Sequence, residues 1–145
     1  MRDLQDEDSV ARFCSYQRQI RDENDQIIGV IPQLFELRPN ISETYLSCEW
    51  VEFYEGEKEE QLKAVVEAVR TRLKSKSKKA KVAILRVENI KKCGTERERK
   101  LRVQQKRKAS SYSGIYGLPQ DNNDITLLKN LTDYTIESLV DYVKI

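Results

Sequence analysis

The sequence predicts an α+β fold: a single small domain with a mixed or antiparallel sheet of four to five strands, one long central helix and a C-terminal helical pair. Three observations predict this class. Residues 45–54 alternate between two sets of side chains, as in a strand. Residues 57–74 repeat apolar side chains at helical spacing, and residues 125–143 do so again. A chain of 145 residues suits one domain and can bury a core without disulfides.

The chain divides into two parts. Residues 1–9 are expected to form a flexible acidic tail, and residues 10–145 the domain, with a basic central segment at 70–108. Residues 10–20 fit a short strand or a helix equally well. Two short apolar runs follow, separated by Pro32, whose missing N–H predicts an edge position or a bulge at that point.

The strand at 45–54 has a clear inner face. Leu46, Cys48 and Trp50 form the set expected to face the core. The outer set is Tyr45, Ser47, Glu49, Val51 and Phe53. A register shift of one residue would bury Glu49 in place of Trp50, so the pattern fixes the orientation of the strand.

The helix at 57–74 carries one apolar stripe, made of Leu62, Val65, Val66, Val69 and Leu73. Its glutamates lie in the first turn and its cations in the last, which complements the helix dipole. Residues 82–87 form a continuous apolar run typical of a central strand. Strand, helix and strand in this order are compatible with a right-handed crossover, if the two strands pair in parallel. Residues 89–100 are expected to be a polar excursion.

The C-terminal half adds one strand and two helices. Residues 101–106 alternate as a half-exposed strand with a basic outer face. Residues 110–119 form a glycine-containing loop, either a plain connector or an anion cradle made of backbone amides. Asp121 to Asp124 cap a helix at 125–131, and a second helix follows from about Asp133. The predicted core is Phe35, Leu37, Leu46, Cys48, Trp50, Leu62, Val65, Val66, Val69, Val82, Ile84, Ile136, Leu139 and Val140.

Composition favours binding over catalysis. The net charge of +2 combines 26 basic and 24 acidic side chains, and no histidine is present. The charge is uneven, because residues 70–108 hold 17 basic and 3 acidic side chains whereas residues 1–69 hold 7 and 16. Without histidine the chain lacks the usual general base near neutral pH and the usual metal ligand. We therefore expect no catalytic residues, no cofactor and no metal.

The three cysteines predict a reducing compartment. Cys14, Cys48 and Cys93 are too widely spaced for zinc or redox motifs. Their odd number and the acidic N-terminus favour the cytoplasm. We expect Cys48 to be a buried small hydrophobe, and Cys93, beside two lysines, to be the more reactive thiol. The longest uncharged stretch is far short of a membrane span, so no membrane partner is expected.

Two basic stretches supply the candidate binding residues. The first is Arg70, Arg72, Lys74, Lys76, Lys78, Lys79 and Lys81, and the second is Arg97, Arg99, Lys100, Arg102, Lys106, Arg107 and Lys108. Because they bracket one apolar strand, we expect them to lie side by side as one positive surface. Residues 70–108 contain no aromatic side chain, but Tyr112 and Tyr116 follow directly and could stack on bases.

Three functions remain open. The first is a non-catalytic binding or adaptor module that docks an acidic protein partner through the basic surface, within a homo- or hetero-oligomer. The second is nucleic-acid binding by the same residues. The third is a small metal-dependent nuclease or toxin with Glu36, Glu49 and Glu52 as metal ligands. Glu49 and Glu52 fall on opposite faces of one strand, which argues against a shared ion.

Two short segments carry a resemblance. Residues 45–50 (Tyr-Leu-Ser-Cys-Glu-Trp) and 114–119 (Gly-Ile-Tyr-Gly-Leu-Pro) resemble a group of small bacterial proteins of unknown function associated with mobile-element or defence-type operons. That group has a histidine before the glycine segment, where this chain reads Ser-Ser-Tyr-Ser, so no role of that histidine carries over. The resemblance implies a bacterial or phage setting and a subunit of a defence-type complex, with no assigned activity.

Overall fold

The computed structural model describes residues 2–38, 43–74, 77–120 and 124–142 and confirms the α+β class. The strands in these ranges are β1 (Ser9–Cys14), β2 (Gln19–Arg21), β3 (Ile27–Val30), β4 (Leu46–Trp50), β5 (Lys81–Arg86), β6 (Arg102–Gln105), β7 (Tyr112–Tyr116) and β8 (Leu139–Asp141). The helices are α1 (Lys58–Leu73), α2 (Val87–Glu96) and α3 (Ile125–Asp133). Single 3-10 turns occupy Tyr16–Arg18, Pro32–Phe35, Val51–Phe53 and Ile136–Ser138.

One antiparallel sheet organises the molecule. Over the described residues it has six strands, more than the four to five expected, in the order β6-β7-β4-β1-β5-β8, and β2 pairs with β3 in a separate hairpin. The segment 10–20, which fitted a strand or a helix, begins within strand β1, and β1 lies between β4 and β5 inside the sheet. Because β1 pairs antiparallel with both β4 and β5, those two strands are parallel but do not touch. The connection through α1 therefore crosses over β1.

The two faces of the sheet pack differently. On one face Leu46, Cys48 and Trp50 are buried, as predicted, against α2, α3 and the turn at Pro32–Phe35. On the other face the stripe of α1 packs over β1 and β5, and Val65 and Val69 are buried there. Every residue of the predicted core is buried or half-buried. The outer faces of β6 and β7 lie beyond the apolar stripe of α1.

The N-terminal segment packs against the sheet, although the sequence indicated a flexible tail at 1–9. Leu4 is only 2% exposed, and its N–H donates to the carbonyl of Val103 over 2.9 Å. The Nε1–H of Trp50 donates to Asp8 over 3.1 Å. The segment thus lies along β6 and shields part of that edge.

The expected loop at 110–119 is in fact strand β7, which pairs with β4 and β6. Ser113 and Ile115 are buried, and the backbone amides take part in the ladder instead of forming an anion cradle. A Cβ atom on Gly114 would lie 2.6 Å from Cδ2 of Tyr45. The glycine is needed because the ring of Tyr45 lies across the strand.

The second C-terminal helix is a wrong prediction. Helix α3 is confirmed, and Asp124 caps it by accepting a hydrogen bond from the N–H of Leu127 over 3.1 Å. After it the chain forms the turn Ile136–Ser138 and then β8, which pairs with β5. The consecutive residues Leu139 and Val140 pack into different core clusters, which is the two-residue period of a strand.

Helix α2 replaces the expected polar excursion. Val87, Ile90, Cys93 and Gly94 are buried on one side of it. This spacing is helical. Val87 also continues the apolar run of β5, so the sequence pattern does not show where the helix begins.

Candidate binding surface

The topology separates the two basic stretches, so the expectation that they lie side by side is wrong. The first stretch begins with Arg70 and Arg72 at the end of α1 and leads into β5, whereas much of the second lies on or beside β6. Strands β1, β4 and β7 lie between β5 and β6 in the sheet. Apart from Arg72, the two stretches therefore lie towards opposite ends of the sheet.

Several cations of the first stretch have carboxylate partners. Lys81 forms an ion pair with Asp141. Nζ of Lys79 lies 3.9 Å from a carboxylate oxygen of Asp25, and Arg70 is 3.6 Å from Glu67. The exposed side chains of Lys74 and Lys78 follow α1, and Lys76 lies outside the described residues.

Two cations of the second stretch are used in local structure. Nε of Arg97 donates to the helix-capping carboxylate of Asp124 over 2.9 Å. Nη1 of Arg99 donates to the carbonyl of Gly117 over 2.7 Å. Both contacts fix the chain around the start of α3 and the end of β7. Lys100 and Lys108 are exposed in the connections on either side of β6.

The remaining cations gather over tyrosine rings. We define the tyrosine face as Tyr45, Tyr112 and Tyr116 together with Arg72, Arg102, Lys106 and Arg107. It lies on the outer side of β6 and β7, and only Arg72, from the last turn of α1, comes from the first basic stretch. Alternation along β6 and β7 brings these side chains to one side of the sheet.

The rings and cations of the tyrosine face are interleaved. The ring centroids of Tyr45 and Tyr116 are 5.5 Å apart, and the hydroxyls of Tyr45 and Tyr112 are 3.1 Å apart. Nζ of Lys106 lies 4.5 Å from the centroid of Tyr45 and bonds to the hydroxyl of Tyr116. Arg102 lies 5.4 Å from the centroid of Tyr116. Such contacts hold cations over aromatic rings without neutralising their charge.

Tyr112 carries two guanidinium groups. Arg72 lies 4.3 Å and Arg107 4.9 Å from its ring centroid. Burial, followed by the hydrogen bond with Tyr45, raises the pKa of the Tyr112 hydroxyl to about 12. The phenol is therefore neutral at physiological pH, and the face keeps its positive charge.

A buried carboxylate positions Arg72. Glu49 is 3% exposed and accepts a hydrogen bond from Nε of Arg72 over 2.5 Å. Its second oxygen accepts the hydroxyl of Ser111 over 2.7 Å, and that hydroxyl lies 3.0 Å from the hydroxyl of Tyr54. The network fixes the Arg72 side chain beside Tyr112.

Three of the four cations on the tyrosine face form no ion pair with a carboxylate in the part of the chain that the structure describes. They are Arg102, Lys106 and Arg107. The sequence pointed to all three and to Tyr112 and Tyr116. It missed Tyr45 as a site residue, although the alternation of residues 45–54 had placed it on the outer face.

The carboxylates considered for a nuclease have other partners. Glu49 binds Arg72 and Ser111, as described. Glu52 accepts the N–H of Ser9 over 2.5 Å and the ammonium of Lys58 over 2.6 Å. Within the four described ranges no three Cys, Asp or Glu side chains gather as metal ligands would.

All three cysteines are free and buried. Cys93 was expected to be the more reactive thiol, but burial raises its pKa to about 11, which disfavours the reactive thiolate form. Cys48 is the buried small side chain that was predicted, with a pKa raised to about 12 by burial.

Comparisons with protein-family models, with curated proteins and with solved structures find no match for this chain. Among the helices of the described residues, none has the length and apolar character needed to cross a membrane.

Proposed function

We propose that this chain is a non-catalytic module that binds single-stranded nucleic acid on the tyrosine face. The supporting observation is the interleaving of three tyrosine rings with cations, three of which have no carboxylate partner in the described residues. The cations would neutralise phosphates, and the rings and the guanidinium planes would stack with unpaired bases.

A single strand suits this surface better than a duplex. The aromatic rings lie on the sheet itself, where only an unpaired base can reach them by its flat face. A duplex would engage the cations but leave the rings unused. We therefore expect a single strand to bind more tightly than a duplex of the same sequence, with little dependence on base sequence.

A salt titration with a fluorescent single-stranded oligonucleotide tests the proposal. If the three cations of the tyrosine face that have no carboxylate partner in the described residues each contact a phosphate, the logarithm of the affinity should fall against the logarithm of salt concentration with a slope of about −2. No binding at low salt would refute the proposal.

The contribution of the rings is tested at Tyr116. Replacing it by leucine should weaken binding by about tenfold, since base–aromatic stacking contributes about 1–3 kcal/mol per base. Tyr116→Phe is the matched control, because it keeps the ring and removes only the hydroxyl. Equal affinities of Tyr116→Leu and the unchanged protein would contradict stacking on this ring.

The competing hypothesis is an acidic protein partner docked on the same cations. Such a partner would depend on Arg102, Lys106 and Arg107 but gain little from base-stacking rings. Polyglutamate that binds as tightly as the oligonucleotide, with no loss in Tyr116→Leu, would favour it. The resemblance at residues 45–50 and 114–119 supports a bacterial or phage setting for either partner. We place the protein in the cytoplasm, because its free cysteines suit a reducing compartment.

A further inference from the structure

A groove of about 370 Å³ opens beside the tyrosine face, between the C-terminal end of α1 and strands β1 and β4. The two strands pair at Val10–Trp50 and Ala11–Glu49 and then separate. The side chain of Arg12 enters the gap between them. The groove exists because this pairing stops early.

Arg12 is held in place by neutral acceptors. Its Nε donates to the carbonyl of Leu34 over 2.8 Å, and its Nη1 donates to the carbonyl of Ser47 over 2.7 Å. These two bonds fix the guanidinium plane, but the carbonyl acceptors carry no formal negative charge. Within the described residues neither Arg12 nor Arg18, which also lines the groove, has a carboxylate within ion-pair distance.

The other charged groups of the groove include two ion pairs. Arg38 pairs with Glu43 over 3.2 Å, and Arg72 pairs with Glu49 over 2.5 Å. A further carboxylate, Glu36, lines the groove and would oppose a bound anion.

The surroundings of Arg12 disfavour its charged form. Burial, followed by the nearby charge of Arg18, lowers the pKa of its guanidinium to about 10. An anion between these two arginines would relieve both effects.

We propose that the groove binds a phosphomonoester and that it receives the terminal phosphate of a strand lying on the tyrosine face. A phosphomonoester is close to a dianion at neutral pH and offers oxygens that match the planar donors of guanidinium groups. The groove has the volume of a small-ligand site. Arg72 and Tyr112 line the groove and also belong to the tyrosine face, which makes the two regions continuous.

The claim that the groove receives the terminal phosphate of a bound strand rests on the proposed function. Three oligonucleotides of one sequence test this claim. One carries a 5′-phosphate, one a 3′-phosphate, and one has hydroxyls at both ends. We expect one of the phosphorylated strands to bind about tenfold more tightly than the hydroxyl-ended strand, as an additional charge-assisted contact predicts. Equal affinities of all three would overturn terminal recognition and leave the proposed function intact.

Inorganic phosphate and a nucleoside monophosphate test the groove independently of any strand. Calorimetry should detect binding of the monophosphate to the full chain. If the monophosphate binds while no oligonucleotide does, the phosphomonoester site stands and the proposed function fails. If neither the monophosphate nor a terminal phosphate contributes binding, the groove inference is overturned.

Variants at the groove assign the contact. Arg18→Gln should remove the advantage of the phosphorylated strand without changing the affinity of the hydroxyl-ended strand. Arg12→Gln can unfold the chain, so Arg18→Gln decides the question, and an unchanged phosphate advantage in that variant would contradict the assignment.

Discussion

Two clusters at opposite ends of the sheet contain the same kinds of side chain but differ in their carboxylates. Near β5, Arg21 and Lys79 lie 5.1 Å and 5.0 Å from the ring centroid of Tyr16. There Asp25 pairs with both cations, at 3.4 Å and 3.9 Å. On the tyrosine face Arg102, Lys106 and Arg107 lie over rings without such a partner in the described residues, and the buried Glu49 pairs with Arg72.

This difference shows that the number of cations does not locate a binding surface. At the Tyr16 cluster an incoming phosphate must compete with Asp25, which is 56% exposed. At the tyrosine face the carboxylate of Glu49 is already held by Arg72 and Ser111. A cation offers charge to a ligand only where its own chain has not already neutralised it.

The largest expected effect is a loss of affinity for a single strand when the cations of the tyrosine face are removed. Removing cations at the other end of the sheet should have little effect. A triple variant with glutamine at Arg102, Lys106 and Arg107 should lower the affinity for a single strand at least about 100-fold in low salt. It should also reduce the salt slope by about 2. The matched control replaces Arg70, Lys79 and Lys81, which pair with Glu67, Asp25 and Asp141, by glutamine. Less than about a threefold loss is expected. Anisotropy titrations measure both, and equal losses in the two variants would remove the distinction between the ends.

An intermediate effect, on stability, is expected at Gly114, which packs against the ring of Tyr45. Gly114→Ala should lower the free energy of unfolding by about 1–3 kcal/mol, because the added Cβ would lie 2.6 Å from the ring. Gly29→Ala, in the hairpin at the other end, is the control. There the nearest atom, Cδ1 of Ile20, is 3.6 Å away, so a change between zero and a gain of about 1 kcal/mol is expected. Urea denaturation of both variants provides the comparison, and a neutral Gly114→Ala would refute the close packing.

The smallest effect should come from making the Tyr16 cluster more like the tyrosine face. Asp25→Asn removes the carboxylate and suits the left-handed backbone there, which has a φ of 59°. We expect affinity for a single strand to rise about twofold, since two cations lose a competitor. The same salt titration measures the gain, and weaker binding would show that Asp25 itself supports the partner.

The elements that the sequence predicted correctly are those with a strong local pattern. Strand β4 alternates clearly, and α1 has one continuous apolar stripe. Strand β7 was missed because Gly114 and its neighbouring serines favour turns, whereas pairing with β4 and β6 decides its conformation. Strand β8 was missed for a related reason, since the spacing of its apolar residues also fits a helix.

The site was predicted in part. The sequence identified the cations and two of the tyrosines from composition and order. It could not show which cations find carboxylates, because several of those partners are distant in sequence: Lys81 and Asp141 are 60 residues apart. It also could not show the gap that Arg12 fills, since that gap depends on where β1 and β4 stop pairing.

Photo-cross-linking tests the central claim most directly. A single strand that contains 4-thiouridine is irradiated with the full chain, and the linked peptides are mapped by mass spectrometry. The tyrosine face predicts cross-links on β7, at Tyr112 or Tyr116, with few at Tyr16. Cross-links concentrated at Tyr16, or spread evenly over both ends of the sheet, would contradict the account.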